Sequence, residues 1–275
     1  MRWAEALGSR LAVAGTLLLA LMILFPFGLG VVGALLSPEA LARGDLFPWP
    51  LYPESFLRAF QVVPMATYLW NSLVIATIAT IGAMTTSVLA AYALARMEFR
   101  GRGLAFVAVV ATLAIPDLIG IVPNYLFLAK LDLVPGITAA VLPHLASGFT
   151  TFFLRQHFKA APMSYDEAAR LDGAGTLRIL LDVHVPLAMP AIASMALFAF
   201  ITEWNAYLWP LIVLSGDSQT VQIGLANLQA SIREQPFTDW PLILASACIV
   251  LVPSFVMFFI AERQLVKGAG IGGIK

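Results

Sequence analysis

The chain has 275 residues, of which 60% are hydrophobic and only 12% are charged, and its mean hydropathy is +0.87. Soluble domains carry about one-quarter charged residues, so this composition excludes an ordinary soluble protein and indicates a membrane protein. The formal net charge is zero, without blocks of like charge, which gives no sign of nucleic acid as a partner. The single Cys248 excludes a disulfide within the chain, and with only three scattered histidines we predict no metal site.

Six apolar stretches are long enough to cross a membrane, which takes about 20 residues of helix. We predict an all-α membrane protein with six transmembrane helices, at residues 11–36, 65–94, 104–129, 137–154, 186–214 and 241–261. The first stretch is longer than the core of a signal peptide and no convincing cleavage site follows it. We therefore expect it to remain in the protein.

Lysine and arginine set the orientation, because short cytoplasmic loops carry an excess of both. With the N-terminus inside, twelve of the sixteen lie on the cytoplasmic side, and only Arg43, Arg58, Lys130 and Arg233 lie outside. We therefore predict that both termini are cytoplasmic.

Two outer segments differ in composition. Residues 37–64 contain "LFPWPLYPESF", which is typical of a segment lying along the membrane interface, and residues 215–240 are polar enough to meet an extracellular partner or to pack at the interface. We divide the chain into an N-terminal membrane helix with its outer interfacial loop, residues 1–64, and a five-helix core, residues 65–275.

Prolines recur in the last four predicted spans, at Pro116, Pro123, Pro143, Pro210 and Pro253. Each removes a helical N–H and clashes with the preceding turn, so we expect kinks or breaks. Broken helices line substrate paths in transporters, but membrane helices tolerate proline elsewhere too.

Polar residues within the spans are candidates for a translocation path, because charges at membrane depth are costly and usually face a cavity or a partner. On a continuous helix, Thr202, Asn205 and Trp209 share one face, while Glu203 and Tyr207 lie on another. The predicted path residues are Asp117, Asn124, Thr202, Glu203, Asn205, Tyr207 and Trp209. The alternative is hydrogen bonding between helices or contact with another membrane subunit. We expect His144 to be a satisfied structural histidine.

The largest cytoplasmic loop, at about residues 155–185, contains the charged stretch "SYDEAARLDGAG". Ser164 and Glu167 have the spacing of a capping box, and Gly173 is placed to end the helix in a left-handed conformation. The two-turn helix is too short to be stable alone and needs a partner. Thr176 is placed to cap a second helix. An amphipathic connector resting on the membrane is the alternative for this loop.

The loop resembles a known family. "EAARLDGAG", followed after a dozen residues by "VPLAMP", looks like the EAA motif of permease subunits in bacterial ABC importers. The similarity is closest to the second permease of carbohydrate importers of the maltose type and to glycerol-phosphate importers. It extends to "NSLVIATIATIGAMTTSVLAAYALARMEFRGR", "FLRQHF", "EWNAYLWP" and "ERQLVKGAGIGGIK". Val185 departs from the usual leucine before Pro-Leu, and Lys275 lacks a usual trailing glycine.

The resemblance implies a multi-pass permease of the bacterial inner membrane, with the type I importer fold. Its EAA loop would form a coupling helix that docks on an ATPase, with Glu167 paired to an ATPase arginine and Ala168 and Ala169 in close contact. Asp172 belongs to the same coupling set and Gly173 makes the turn. Residues 268–275 would approach the ATPase interface.

The resemblance also implies partners: a second homologous permease, a dimer of ATPase subunits, an extracytoplasmic binding protein and membrane lipid. No G-x-x-x-x-G-K-[ST] loop occurs, so we predict that this chain is not an enzyme and binds no cofactor, with ATP and Mg on the partner ATPase.

The carried solute would be a carbohydrate: a sugar, an oligosaccharide or a polyol. The predicted spans contain no Lys or Arg, which modestly favours a neutral solute, although the partner permease could supply a charge. The alternative is glycerol 3-phosphate or a glycerophosphodiester. A remoter one is a proton-coupled secondary transporter that uses Asp117 and Glu203.

Overall fold

The chain is helical throughout the part that the structure describes. The computed structural model gives the backbone of residues 2–45, 47, 49–233 and 239–271, and the side chains of residues 11–45, 47, 49–232 and 239–262. No strand occurs within these ranges.

The α-helices differ widely in length, from one turn to more than thirty residues. In chain order they are α1 Arg2–Ala34, α2 Pro38–Ala42, α3 Glu54–Val62, α4 Met65–Arg96, α5 Arg102–Thr112, α6 Asp117–Lys130, α7 Ile137–Val141, α8 Gly148–Ala160, α9 Ser164–Leu171, α10 Thr176–Ile179, α11 Val185–Leu187, α12 Met189–Trp204, α13 Leu208–Val213, α14 Val221–Arg233 and α15 Trp240–Ile271. Two 3₁₀ turns, Leu142–His144 and Gly216–Ser218, and one π-helical turn, Leu180–His184, complete the helical structure of the described residues.

Four helical stretches of the described chain are long and apolar enough to cross a membrane: Leu11–Ala34, Met65–Arg96, Ile137–Ala160 and Trp240–Glu262. Two bent pairs raise the number to six if each pair is one span: Arg102–Thr112 with Asp117–Lys130, bent by 102°, and Thr176–Leu187 with Met189–Trp204, bent by 81°. All six predicted stretches overlap these segments. The prediction of an all-α membrane protein is confirmed.

Prolines mark several of the breaks. Pro116 precedes α6 at the 102° bend, Pro143 lies in the 3₁₀ turn before α8, and Pro210 lies in α13 just after an irregular stretch. In contrast, α6 and α15 run through Pro123 and Pro253. Proline therefore coincides with a break at three of the five positions.

The chain forms two compact units, Met1–Met65 with Gly224–Val252, and Ala66–Ile223 with Pro253–Lys275. Within the first unit, Arg58 and Asp239 form an ion pair at 2.7 Å. The division of the chain into an N-terminal helix with its outer loop, residues 1–64, and a five-helix core, residues 65–275, stays a prediction.

Two apolar clusters form the core of the second unit. One joins α4, α8, α10 and α12 through Met84, Ala91, Tyr92, Leu154, Phe158, Ile179, Leu180, Ala188, Ala191 and Met195. The other joins α4, α6, α7 and α13 through Ile75, Ala79, Leu128, Ala139, Ala140, Val141, Trp209, Val213 and Leu214. The functional side chains described below lie beside these clusters.

Candidate functional site

The helix α9, called here the loop helix, has eight residues and begins at Ser164, but the predicted capping box is wrong. Its N-cap is Met163, and no side-chain hydrogen bond caps the helix. The chain turns earlier than the pattern implies, because the N–H of Tyr165 donates to the carbonyl of Pro162 (3.4 Å) and that of Glu167 to Met163 (3.1 Å). Ser164 therefore lies inside the first turn, where its side chain cannot act as a cap.

The end of the loop helix agrees with the prediction. Gly173 has φ +80°, and its N–H donates to the carbonyl of Arg170 (3.0 Å), while the N–H of Ala174 donates to Ala169 (2.9 Å). This pair of bonds is a Schellman motif, which satisfies carbonyls left free at a helix end.

The predicted coupling residues lie mainly on the exposed side of the loop helix. Glu167, Ala168, Asp172 and Gly173 are exposed, whereas Ala169 is half-buried against the apolar cluster of α4 and α8. Three apolar side chains accompany them: Met163 is 50% exposed, Tyr165 47% and Leu171 89%. Met163 and Tyr165 also face the interior, because the sulfur of Met163 accepts from Nη1 of Arg96 (3.2 Å) and Tyr165 lines a cavity beside His184. We call Glu167, Ala168 and Leu171 the outward face.

Asp166 is a buried charged residue that the sequence analysis did not single out as a site residue. It is buried, with one carboxylate oxygen 3.0 Å from Nε2 of His184 and the other 3.5 Å from Nη1 of Arg96. His184 and Arg96 are buried as well. We call these three residues the Asp166 anchor. Arg96 and His184 lie 70 and 18 positions from Asp166 in the sequence, so no local sequence pattern indicates that the three residues meet. The one signal was a histidine within an apolar run.

Arg96 is the last residue of α4, and its guanidinium caps the end of α8. Nε donates to the carbonyl of Phe158 (3.0 Å), and Nη2 donates to Phe158 (2.7 Å) and to Ala161. Cations stabilise the free carbonyls at a helix C-terminus. With the ion pair to Asp166, Arg96 joins α4, α8 and the loop helix.

His184 lies in an apolar surrounding on the other side of the anchor. Its ring centroid is 5.2 Å from that of Tyr92 and 5.8 Å from that of Phe158. Its Nδ1 is buried and has no hydrogen-bond partner among the described residues. A carboxylate can only accept, so Nε2 donates the hydrogen bond to Asp166.

The run from Thr176 to Leu187, called here the lever helix, connects the loop helix to α12. The predicted Thr176 cap is wrong, because the N-cap is Gly175 and no side chain caps the helix. His184 ends a π-helical turn, in which one inserted residue changes the direction of the side chains that follow. The lever then bends by 81° into α12.

A second polar group lies within the predicted spans. His144 Nδ1 and Glu203 Oε1 are 2.8 Å apart, so His144 is a satisfied histidine as expected. Trp209, a predicted path residue, is instead buried and donates from Nε1 to the carbonyl of Ala139 (3.2 Å).

The assumption of one continuous helix in the fifth span is wrong. The helix α12 ends at Trp204, residues 205–207 are irregular, and α13 begins at Leu208. Pro210 has no N–H for a continued helical ladder, which explains the interruption. Sixteen residues span only about 24 Å, so α12 alone falls short of the roughly 30 Å of hydrocarbon.

The remaining path candidates make few contacts. Thr202 and Asn205 donate to carbonyls of their own helix, Phe198 and Ile201, both at 2.8 Å, and Tyr207 is exposed. Asp117 and Asn124 lie exposed on α6, and in the described part of the chain neither side chain has a hydrogen bond or ion pair. No described contact joins them to Glu203.

Comparisons with known proteins agree on one family. The sequence pattern described as "binding-protein-dependent transport system inner membrane component" matches residues 83–265. The sn-glycerol-3-phosphate transport system permease protein UgpE of Yersinia pestis bv. Antiqua is 32% identical, covering 90% of this chain and 91% of that one. The arabinooligosaccharides transport system permease protein AraQ of Halalkalibacterium halodurans is 32% identical, and the match covers 83% of this chain and 81% of that one.

A solved structure shares the fold. A chain of a bacterial ABC transporter involved in the import of the acidic polysaccharide alginate matches with a TM-score of 0.82. The two chains are 21% identical, and the match covers 94% of this chain and 97% of the other.

Gly173 offers a test of the loop-helix geometry. Gly173→Ala places a Cβ at φ +80°, which costs about 1–2 kcal/mol, so amides of residues 164–171 should exchange hydrogen about 5–30 times faster. Gly175→Ala is the matched control, since its φ is −75° and nothing lies within 4 Å of an added Cβ. Equal exchange in both variants would contradict the assigned left-handed turn.

Proposed function

The chain belongs to the family of binding-protein-dependent transport system inner membrane components, and on that premise we propose that the loop helix couples it to an ATP-hydrolysing partner. It is a multi-pass membrane protein and the permease subunit of an ABC importer. The observation that carries the coupling proposal is the outward face, where one carboxylate stands among exposed apolar side chains.

The outward face has the chemistry of a protein-binding surface. Burying one leucine side chain contributes about 1.5–3 kcal/mol, and Leu171 is almost fully exposed in this chain. Glu167 is available to pair with a cation, and Ala168 allows a partner backbone to approach closely. Asp172 and Gly173 fix the direction in which the chain leaves this face. Residues 268–271 continue α15 as helix, whereas residues 272–275 of the proposed ATPase contact lie outside the described residues.

The loop helix faces the cytoplasm in this proposal, as do both termini. The excess of Lys and Arg on that side supports the orientation. The sequence has no phosphate-binding loop, so ATP and Mg belong to the partner, as a dimer of ATPase subunits. A second homologous permease completes the path, and an extracytoplasmic binding protein delivers the solute.

Charge reversal at Glu167 tests the coupling role. In Glu167→Lys the carboxylate proposed to pair with an ATPase arginine is replaced by a second positive charge. Losing such a charge pair at an interface weakens binding by about 2–5 kcal/mol. We expect uptake and ATPase co-purification to fall more than tenfold in membranes with equal amounts of the permease.

Glu98→Lys is the matched control, because Glu98 is also exposed and lies in a loop on the same proposed side. Normal uptake and ATPase stimulation in Glu167→Lys would end the coupling proposal. Because an ATPase that contacts Glu167 must lie in the cytoplasm, the same experiment tests the orientation.

The break after α12 is the proposed centre of the translocation path. Irregular backbone at membrane depth is tolerated where it is buried in protein or lines a water-filled cavity. Residues 205–207 interrupt the span beside the His144–Glu203 pair, and Asn205 and Tyr207 are exposed there. Hydroxyl-rich solutes need polar partners and aromatic faces, which these residues supply. Thr202 on α12 and Asp117 and Asn124 on α6 complete the proposed lining.

Glu203→Gln tests the path. The change keeps the shape but removes the charge in the bond to His144, and hydrogen bonds to charged groups contribute about 1.5–3 kcal/mol. We expect uptake to fall about tenfold or more while the ATPase subunit co-purifies normally. Glu262→Gln, an exposed carboxylate in α15, serves as the control. Unchanged uptake in Glu203→Gln would remove Glu203 from the path.

The solute class is proposed to be a carbohydrate: a sugar, an oligosaccharide or a polyol. Two named relatives carry different solutes, sn-glycerol 3-phosphate and arabinooligosaccharides. The absence of Lys and Arg from the predicted spans favours the neutral class.

Purified complex with its binding protein separates the alternatives. We expect neutral sugars or polyols to stimulate ATP hydrolysis. Stimulation only by glycerol 3-phosphate or a glycerophosphodiester would establish the phosphate alternative, and uptake that needs a proton gradient but no ATP would establish the secondary transporter.

A further inference from the structure

The Asp166 anchor joins more of the molecule than any other described polar group. Asp166 is buried although its neighbours Tyr165 and Glu167 are exposed. Its carboxylate reaches the lever helix through His184, and α4 and the end of α8 through Arg96. A loop helix that presents one face to a partner is thus attached by the opposite side to three other elements.

We propose that Asp166 is the positioning residue that transmits movement of the loop helix to the membrane helices, through His184 to the lever and through Arg96 to α4. This inference rests on the proposed coupling function. It assigns Asp166 a role separate from Glu167: Glu167 binds the partner, and Asp166 makes the bound helix move the rest of the chain.

The length of the loop helix is the first argument. Eight residues are too few to hold a helix in water without tertiary contacts. The chain turns sharply on both sides, at Pro162–Met163 and at the left-handed Gly173. A push on the outward face would therefore be absorbed by these turns unless a side-chain link resists it.

The strength of the anchor is the second argument. Asp166 and Arg96 form an ion pair in which both side chains are buried, so salt screens it little. Arg96 uses its other donors on the carbonyls of Phe158 and Ala161, so it cannot follow Asp166 without opening the end of α8. The loop helix and the end of α8 must shift together.

The surroundings of the lever are the third argument. A cavity of about 300 Å³ lies between the end of α8 and the lever bend, lined among others by His157, Tyr165, His184 and Leu187. Close packing normally transmits a shift, but here the lever borders free volume. At this end of the lever the bond from His184 to Asp166 holds it to the loop helix, in addition to the apolar packing at Ile179 and Leu180.

The test uses the assembled complex and compares the stimulation of ATP hydrolysis per complex rather than the amount of complex. In Asp166→Asn we expect the ATPase subunit to co-purify at close to the wild-type ratio, because the outward face is unchanged. Stimulation by solute-loaded binding protein should fall at least tenfold. The matched control is Asp182→Asn, since Asp182 is an exposed carboxylate on the same lever and, among the described residues, pairs with Arg178.

Two variants of His184 separate positioning from mere folding. Gln carries an N–H donor near the place of Nε2, so His184→Gln should retain most of the stimulation, whereas His184→Leu has no donor and should lose at least tenfold. An assembled Asp166→Asn or His184→Leu complex with wild-type stimulation would overturn the inference. So would loss of assembly in both, because the anchor would then only maintain the fold.

The proposed function fails separately. If the wild-type chain retains no ATPase subunit, or Glu167→Lys couples normally, the coupling role itself is wrong. If wild type couples and Glu167→Lys does not, while assembled Asp166→Asn is stimulated normally, only the transmission role of Asp166 is wrong.

Discussion

The burial of one guanidinium constrains the end of the second unit where α4 and α8 finish. Arg96 cannot lose its charge and carries five N–H donors, so burial requires both a counter-charge and several acceptors. The free carbonyls at the end of α8 supply the acceptors, and Asp166 supplies the counter-charge. Asp166 then needs a donor for its other oxygen, which His184 provides. Satisfying this one side chain thus ties together α4, α8, the loop helix and the lever, which the apolar cluster also packs against each other.

Interruptions of helices and polar side chains coincide elsewhere in the chain. Where α12 stops, residues 205–207 leave the helical ladder, and Glu203 and Asn205 stand at that place. Where α5 and α6 meet at the 102° bend, Asp117 is the first residue of α6. The free N–H groups at a helix N-terminus stabilise a negative charge at that position. The apolar clusters keep the surrounding helices packed, so that these local breaks do not loosen the unit.

The sequence alone predicts the fold well because hydrophobic length is a local property. The six apolar stretches overlap all six candidate spans, and Gly173 adopts the left-handed conformation that its place in the motif indicates. The prediction of caps at Ser164 and Thr176 is wrong because a capping pattern does not specify where the preceding turn starts. The first turn starts one residue earlier than predicted, after Pro162, and the N-cap of the second helix is Gly175. The pairs Asp166–Arg96 and His144–Glu203 could not be predicted, since their partners are brought together only by packing of distant helices.

The exposed Leu171 has a consequence for the chain before assembly. With 89% of this side chain uncovered on a loop outside the predicted spans, each newly made copy presents an apolar group to water. A partner that packs on the loop helix, as proposed, would remove this side chain from water, which contributes about 1.5–3 kcal/mol. A copy of the chain that has not met that partner lacks this stabilisation, so the one short helix favours the assembled form over the isolated subunit.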